Sequence, residues 1–442
     1  MSFETDKQTL DDLNILGKYK NNSVYSLFSG TVTRGGEHLL ENMFQNPLTK
    51  ADDINRRVKM FTYFKEHDLA FPGNPEECDV VEQYISGASG KHWIFVLSHL
   101  CQAKFLETVG HDPRYKVWQD QVVATTKFLK NALEYTKELL KGMNGHPLEE
   151  RVKKVVALLE KPAFAKILAN ENTNPGLMDM FARDRLFRCV EFKSLSDLLT
   201  LFHELDVCTV VGRVARENDF CFPVASEDGE ISMKMEALHH PCIPGAISNN
   251  MAITRDKNIF FLTGANMAGK STLMKSFGIA VYMAHMGFPV AAKSMEFIVQ
   301  DGMYTSINVP DNINMGYSHF YAEVLRVKKV AIEVSLSKKL VVIFDELFKG
   351  TNVKDAFDAT LAVASALAKR RACSFLISTH IIEVGQELGK ACDNVTFAYL
   401  PTVMDGKVPR YTYRLQPGIT ADKHGMIIIN NERIIETIRG EI

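Results

Sequence analysis

Residues 264–271 read GANMAGKS. They fit G-x-x-x-x-G-K-[ST], a glycine-rich loop whose backbone N–H groups cradle phosphate. Just upstream, residues 258–263 (NIFFLT) form a short apolar run of strand length, and residues 272–286 downstream read as a helix. Strand, loop and helix in that order bring the positive end of a helix dipole to a bound anion. The context predicts a nucleotide site made by Gly264, Ala265, Asn266, Met267, Ala268, Gly269, Lys270, Ser271 and Thr272. Lys270 is expected on the β- and γ-phosphates and Ser271 on Mg²⁺.

Working outward, residues 340–346 read LVVIFDE, an apolar strand ending in two acids. A buried strand delivers its last side chains to the sheet edge where a phosphate loop also sits. Asp345 suits the Mg²⁺ shell, and Glu346 suits polarisation of an attacking water. The competing reading is a charge pair at a helix N-terminus. Ser378-Thr-His380 follows a further apolar strand, residues 374–378. His380 there is placed to sense a γ-phosphate, against the plainer reading of a surface histidine. His239-His240-Pro241 precedes the loop by about 25 residues. Its ring could stack on a base, whereas adjacent histidines with no third ligand make a poor metal site. On the residues alone that pair stays unassigned.

The rest of the chain bounds the function. Its 442 residues are 46% hydrophobic and 24% charged, which suits two or three soluble domains. A net charge of −2 gives no global positive field for nucleic acid. No two of the eight cysteines are spaced C-x-x-C, so zinc and dithiol chemistry are not indicated. The N-terminus lacks a signal-peptide core and no run of about twenty apolar residues occurs. A cytoplasmic protein is expected, nucleoid-associated if it binds DNA. Helices are predicted at 117–143, at 147–170 with Pro162 interrupting, and at 192–217. Lys127, Lys130, Lys137 and Lys141 lie near one face of the first. That face reads as solvated, with a DNA-facing stripe as the sharper alternative. Near Phe220 the pattern changes to short strands alternating with helices. The predicted fold is therefore an all-α domain over 1–225 followed by an α/β P-loop NTPase domain over 226–442, with a mostly parallel, helix-covered sheet.

These motifs, in this order, resemble the MutS family of DNA mismatch-repair ATPases. The loop GANMAGKST is similar to the family's, including Asn266 and Met267. DELFKGTNVKDA, residues 345–356, resembles its DE-x-GRGT-x-x-x-DG signature, and Ser318-His-Phe320 with Glu323 resembles its STF-x-x-E loop. Ser378-Thr-His380 is similar to the ATH motif, and His240-Pro241 to the RHP segment that puts a ring near adenine. Residues 23–61 resemble the family's core domain, and 204–207 with 218–223 resemble the end of its lever helix.

The resemblance implies an ABC-like ATPase domain behind a core and lever. It also implies ATP and Mg²⁺ as cofactors, hydrolysis to ADP and phosphate, and a face-to-face homodimer. In that dimer Ser318 would act across the interface and Asp355 would couple the two sites. Double-stranded DNA is the implied partner, bound non-specifically through its backbone, in repair or recombination control. There are departures. No counterpart of the mismatch-reading or connector domain is seen, and the clamp is expected to be absent or reduced. Phe348-Lys349 replaces the family's GR, and Val290-Ala291-Ala292 replaces V-P-A. These departures keep a second reading open, a nucleotide-regulated protein–protein scaffold without DNA contact.

Overall fold

The computed structural model describes residues 2–17, 22–87, 93–110, 112–170, 173–265, 267–307, 319–336, 338–405, 408–420 and 437–440. The chain forms two compact units. One comprises Met1–Leu27, Phe44–Val58 and Glu217–Ile442; the other comprises Phe28–Met43 and Lys59–Arg216. We call them the nucleotide unit and the helical unit.

The nucleotide unit holds strands β1 (Val224–Ser226), β2 (Ile231–Leu238), β3 (Asn249–Thr254), β4 (Ile259–Gly264), β5 (Ser294–Ile298) and β6 (Gly302–Ser306). It continues with β7 (Leu340–Asp345), β8 (Ser374–Ser378), β9 (Val395–Leu400), β10 (Thr402–Asp405), β11 (Val408–Tyr411) and β12 (Gln416–Pro417). Six of these form a sheet in the order β12-β9-β4-β8-β7-β6. All its pairs are parallel except β12 with β9 at the edge. Every residue of β4 and β8 is buried, the mark of strands covered on both faces. Helices Lys270–His285, Val353–Ala368 and Ile382–Ala391 lie between successive strands, as parallel pairing requires.

Register then positions the site. Ser378 on β8 lies opposite Asp345 on one side and Leu262 on the other. At the opposite end of the sheet, buried amides fix the strand starts. Asn258 Nδ2 donates to the carbonyls of Arg370 (3.1 Å) and Cys373 (3.0 Å), and Asn394 Nδ2 to those of Ala368 (2.8 Å) and the Asn258 side chain (2.5 Å).

The short extended pieces expected over residues 220–250 are strands β1, β2 and the start of β3, and they belong to a second, four-stranded sheet, β1-β5-β2-β3. Only β1–β5 is parallel there. A single cut near residue 225 also misses where the N-terminal residues go. Glu4 pairs with Gly302: its N–H donates to Asp301 O and its carbonyl accepts from Met303 N, both at 2.8 Å. Asp12 accepts from Thr305 Oγ1 (2.7 Å) and Ile307 N (3.0 Å). The exposed edge of β6 is thereby capped, which removes a row of unpaired backbone groups. Gly302 has no room for a side chain, since a Cβ would meet Glu4 O at 2.4 Å.

Among the described residues the helical unit contains no named strand. Its longest helices are Arg114–Leu140 and Phe192–Glu217. The first starts three residues before the predicted 117, right after Pro113, and the second has the predicted bounds. Pro162 opens its own helix, Pro162–Leu168, after Glu149–Leu159 ends, because proline tolerates the first turn but not the interior. Buried Asp206 anchors residues 32 and 33, accepting from Val32 N (2.9 Å), Thr33 N (2.8 Å) and Thr33 Oγ1 (2.8 Å). Burial pushes its carboxyl pKa up despite these bonds. Of the lysine face, Lys127 pairs with Glu77, Lys137 with Glu160 (2.6 Å) and Lys141 with Glu138 (2.5 Å). Their charge is locally neutralised, which favours the solvated face over a DNA stripe.

Candidate nucleotide site

The loop between β4 and helix Lys270–His285 turns through three left-handed positions: Gly264 (φ 149°), Met267 (φ 69°) and Gly269 (φ 96°). Glycine suits two of them because it carries no Cβ penalty there. At Gly269 a Cβ would also meet the Tyr413 ring at 2.9 Å. Lys270 is 4% exposed. Its ammonium donates to the carbonyls of Gly264 (2.9 Å) and Ala265 (3.2 Å) and lies 3.6 Å from a Glu346 carboxylate oxygen.

Ser271, first-turn neighbour of Lys270, hydrogen-bonds Asp345 Oδ2, and Ser378 hydrogen-bonds Asp345 Oδ1. Asp345 thus ends β7 held from both sides. Glu346 follows at φ 55°, its N–H directed to Ser378 O (3.2 Å) and Ser378 Oγ (3.3 Å). Four of the predicted groups, Lys270, Ser271, Asp345 and Glu346, therefore converge at the ends of parallel strands. Ser378 bonds two of them, Asp345 and Glu346. The sequence had placed it in a motif without giving it a role; its position one strand over from an acid-ended strand is the signal that was available.

A cation fits this donor set. Ser271 Oγ and an Asp345 carboxylate oxygen already share one point, and hard divalent cations with few protein ligands take hydroxyl and carboxylate oxygens together with phosphate. No cluster of three or more His, Cys, Asp or Glu able to hold a metal occurs among the described residues.

Beside the loop, a cavity of about 520 Å³ is lined by His240, Ile243, Asn249, Gly269, Thr272 and Tyr413, among others. Burial, with help from Lys275 and His239, pushes the His240 pKa down to about 4. Its Nδ1 lies 3.2 Å from the Cys242 N–H, so the ring is neutral with Nδ1 as acceptor. Asn249 ties the far wall: its Nδ2 donates to Tyr413 O (2.9 Å) and its Oδ1 accepts from Leu415 N (2.7 Å). Tyr413, at φ 56°, was not singled out from sequence. It lies well over a hundred residues from the loop, in a stretch with no motif, and nothing local marks it.

The remaining predicted residues lie as follows. His380 is exposed, two residues beyond β8. Asp355 is exposed in the first turn of Val353–Ala368, its N–H accepted by Asn352 Oδ1 (2.9 Å) and its carboxylate bonded by Asn352 Nδ2 (2.5 Å). It takes part in a helix cap. Asn266 and Ser318 fall outside the described residues.

Such a loop, acid pair and parallel sheet define a P-loop ATPase fold. Residues 260–438 match the family model for MutS domain V. DNA mismatch repair protein MutS of Bacillus cytotoxicus is 26% identical over 390 residues, covering 86% of this chain and 42% of that protein. DNA mismatch repair protein MutS of Bacillus mycoides is 24% identical over 384 residues, covering 85% and 41%. DNA mismatch repair protein spellchecker 1 of Drosophila melanogaster is 30% identical over 210 residues, covering 46% and 23%. The chain is similar to MutS proteins over most of its length, and it spans less than half the length of these relatives. Among the described residues no helix is long and apolar enough to cross a membrane.

Proposed function

We propose that the chain binds ATP with Mg²⁺, hydrolyses it to ADP and phosphate, and uses the cycle as a conformational switch in a homodimer acting on double-stranded DNA. The observation that carries the nucleotide reading is the convergence of Lys270, Ser271, Asp345 and Glu346 on one point of the sheet edge; the homodimer and the DNA partner rest on the similarity to MutS proteins. Bound Mg²⁺ would neutralise charge between the β- and γ-phosphates. Ser271 and Asp345 hold it. Lys270 leaves the loop carbonyls for phosphate oxygens. Glu346, then freed of that ammonium, orients and polarises the water that attacks the γ-phosphate. His380 senses that phosphate from the neighbouring strand end. Neutral His240 and Tyr413 offer ring faces to the base, and the loop of residues 264–272 cradles the phosphates, Asn266 included.

Ser318 and Asp355 are assigned to the dimer, the first reaching the partner's nucleotide and the second coupling the two sites. ATP binding then shifts the population of a paired state, as any ligand with unequal affinity for two states must. Gel filtration of Glu346→Gln with and without ATP tests this. Dimer with ATP and monomer without is expected, and a monomer in both conditions removes the roles of Ser318 and Asp355. Stimulation of ATP turnover by duplex DNA, weakening steeply with salt, tests the DNA partner.

A further inference from the structure

The helical unit carries a second concave site that the nucleotide cycle does not use. A cavity of about 390 Å³ lies where helices Pro162–Leu168 and Leu177–Arg185 meet the π-helical turn Leu186–Val190. Its wall combines three cations, Lys166, Arg183 and Arg185, with a single acid, Asp179. Ile167, Phe181, Leu186 and the exposed Met178 and Val190 supply the apolar surface.

Arg183 is the unusual member. It is only 3% exposed, yet among the described residues its guanidinium makes two long hydrogen bonds, both to neutral groups, Thr126 Oγ1 and Asn170 O, at 3.4 Å. It forms no ion pair among the described residues. A desolvated guanidinium is costly unless an anion meets it. Burial already presses its pKa down, with Asp179 the opposing charge. The π-turn is an independent sign, since such turns cost helix geometry and recur at functional sites. Here it ends with Glu191 N bonded to Leu186 O (2.9 Å), five residues back, and carries Leu186 and Val190 at the cavity.

We propose that this cavity docks a short acidic peptide segment of a partner protein, one carboxylate meeting Arg183 and an adjacent apolar side chain filling the space between Ile167, Leu186 and Val190. Charge complementarity selects the carboxylate, to which Arg donates two parallel bonds. The concave apolar wall selects a peptide over a nucleic-acid backbone, which offers phosphates but nothing to fill such a space.

The test uses the full chain and a fluorescein-labelled Glu-Leu-Glu-Leu peptide, followed by fluorescence polarisation. Gln-Leu-Gln-Leu, Glu-Ser-Glu-Ser and a labelled DNA duplex serve as comparison probes. The Glu-Leu peptide is expected to bind, and the other two peptides at least tenfold more weakly. Arg183→Met should cost tenfold or more, and exposed Lys166→Glu, which leaves packing intact, at least threefold. Circular dichroism separates lost binding from lost folding for Arg183→Met, and Lys166→Glu reads the site if that variant fails to fold. No binding of the Glu-Leu peptide at millimolar concentration overturns the proposal. So does equal binding of the Gln-Leu peptide, indifference to both substitutions, or a duplex that binds at this wall while the peptide does not. ATP hydrolysis is unchanged in Lys166→Glu on this proposal, so its outcome is independent of the nucleotide reading.

Discussion

The two units differ in where non-glycine residues turn to positive φ. Every described non-glycine residue with positive φ lies in the nucleotide unit, and four of the eight, Met267, Glu346, Phe348 and Tyr413, belong to the phosphate loop, the stretch after β7 or the base cavity. The glycines there, Gly264 and Gly269, let the backbone turn where side chains are disfavoured. In the helical unit Gly35, Gly36 and Gly212 sit in regular helices, and their need is space. An added Cβ would meet the His203 ring at 2.2 Å, Asp206 Oδ2 at 2.6 Å and the Phe64 carbonyl carbon at 2.4 Å respectively. Half of the non-glycine residues with positive φ therefore lie where a ligand is to be handled, while Gly35, Gly36 and Gly212 of the helical unit are fixed by contact. Strain at functional sites and close packing elsewhere is the general division.

That contrast can be broken by experiment. The largest effect is expected at Glu346→Gln, which should lower ATP turnover by about 10²–10⁴-fold while leaving ATP binding in place. Phosphate release and equilibrium nucleotide binding measure the two; normal turnover would place the base elsewhere. Next comes a pair. Gly212→Ala should destabilise the chain by roughly 1–3 kcal/mol through overpacking with ATP affinity kept. Gly269→Ala should instead lower ATP affinity more than stability. Denaturant unfolding beside nucleotide titration reads both, and parallel losses in the two variants would erase the distinction.

A third effect is set by pH. His285 is fully buried at the end of the phosphate-loop helix, its Nδ1 2.8 Å from Leu48 O and its Nε2 accepting from Gln300 N at 3.3 Å. Burial pushes its pKa down from 6.5 to about 4. The unfolded chain then takes up the proton first. Stability is full above pH 6.5 and falls as pH drops toward 4, by an amount on the order of 3 kcal/mol. His285→Gln should flatten that slope in unfolding measured from pH 4 to 7; an unchanged slope would assign it to other groups. The smallest effect belongs to the base cavity. Tyr413→Ala and His240→Ala should each weaken ATP by about threefold to tenfold, the worth of a ring contact. His240 stays neutral from pH 5 to 8, so a titration of affinity centred in that range would reject its assignment.

Much of this is legible in the sequence. The apolar runs 340–344 and 374–378 gave their strands away because both faces are covered, and residues 192–217 showed one long apolar helix. Lys270, Ser271, Asp345 and Glu346 announced themselves because local chemistry and spacing suffice for a phosphate loop and an acid-ended strand. What escaped was set by distant pairing. Ser378 matters through strand register, Tyr413 through a loop that returns to Gly269, and Glu4 through an edge whose location no local pattern reveals. The second sheet escaped for the same reason, as β5 joins β2 across about sixty residues.

Asp345 has one more consequence. Both its oxygens are spoken for, one by Ser271 and one by Ser378. A free divalent ion arriving alone gains from the chain little more than the Ser271 hydroxyl and one Asp345 carboxylate oxygen. An ion that arrives already chelated by a triphosphate brings its own oxygens and the anchoring of the loop as well. The site thus sorts metals by the company they keep, and free Mg²⁺ should give little binding heat where the nucleotide complex gives a clear signal.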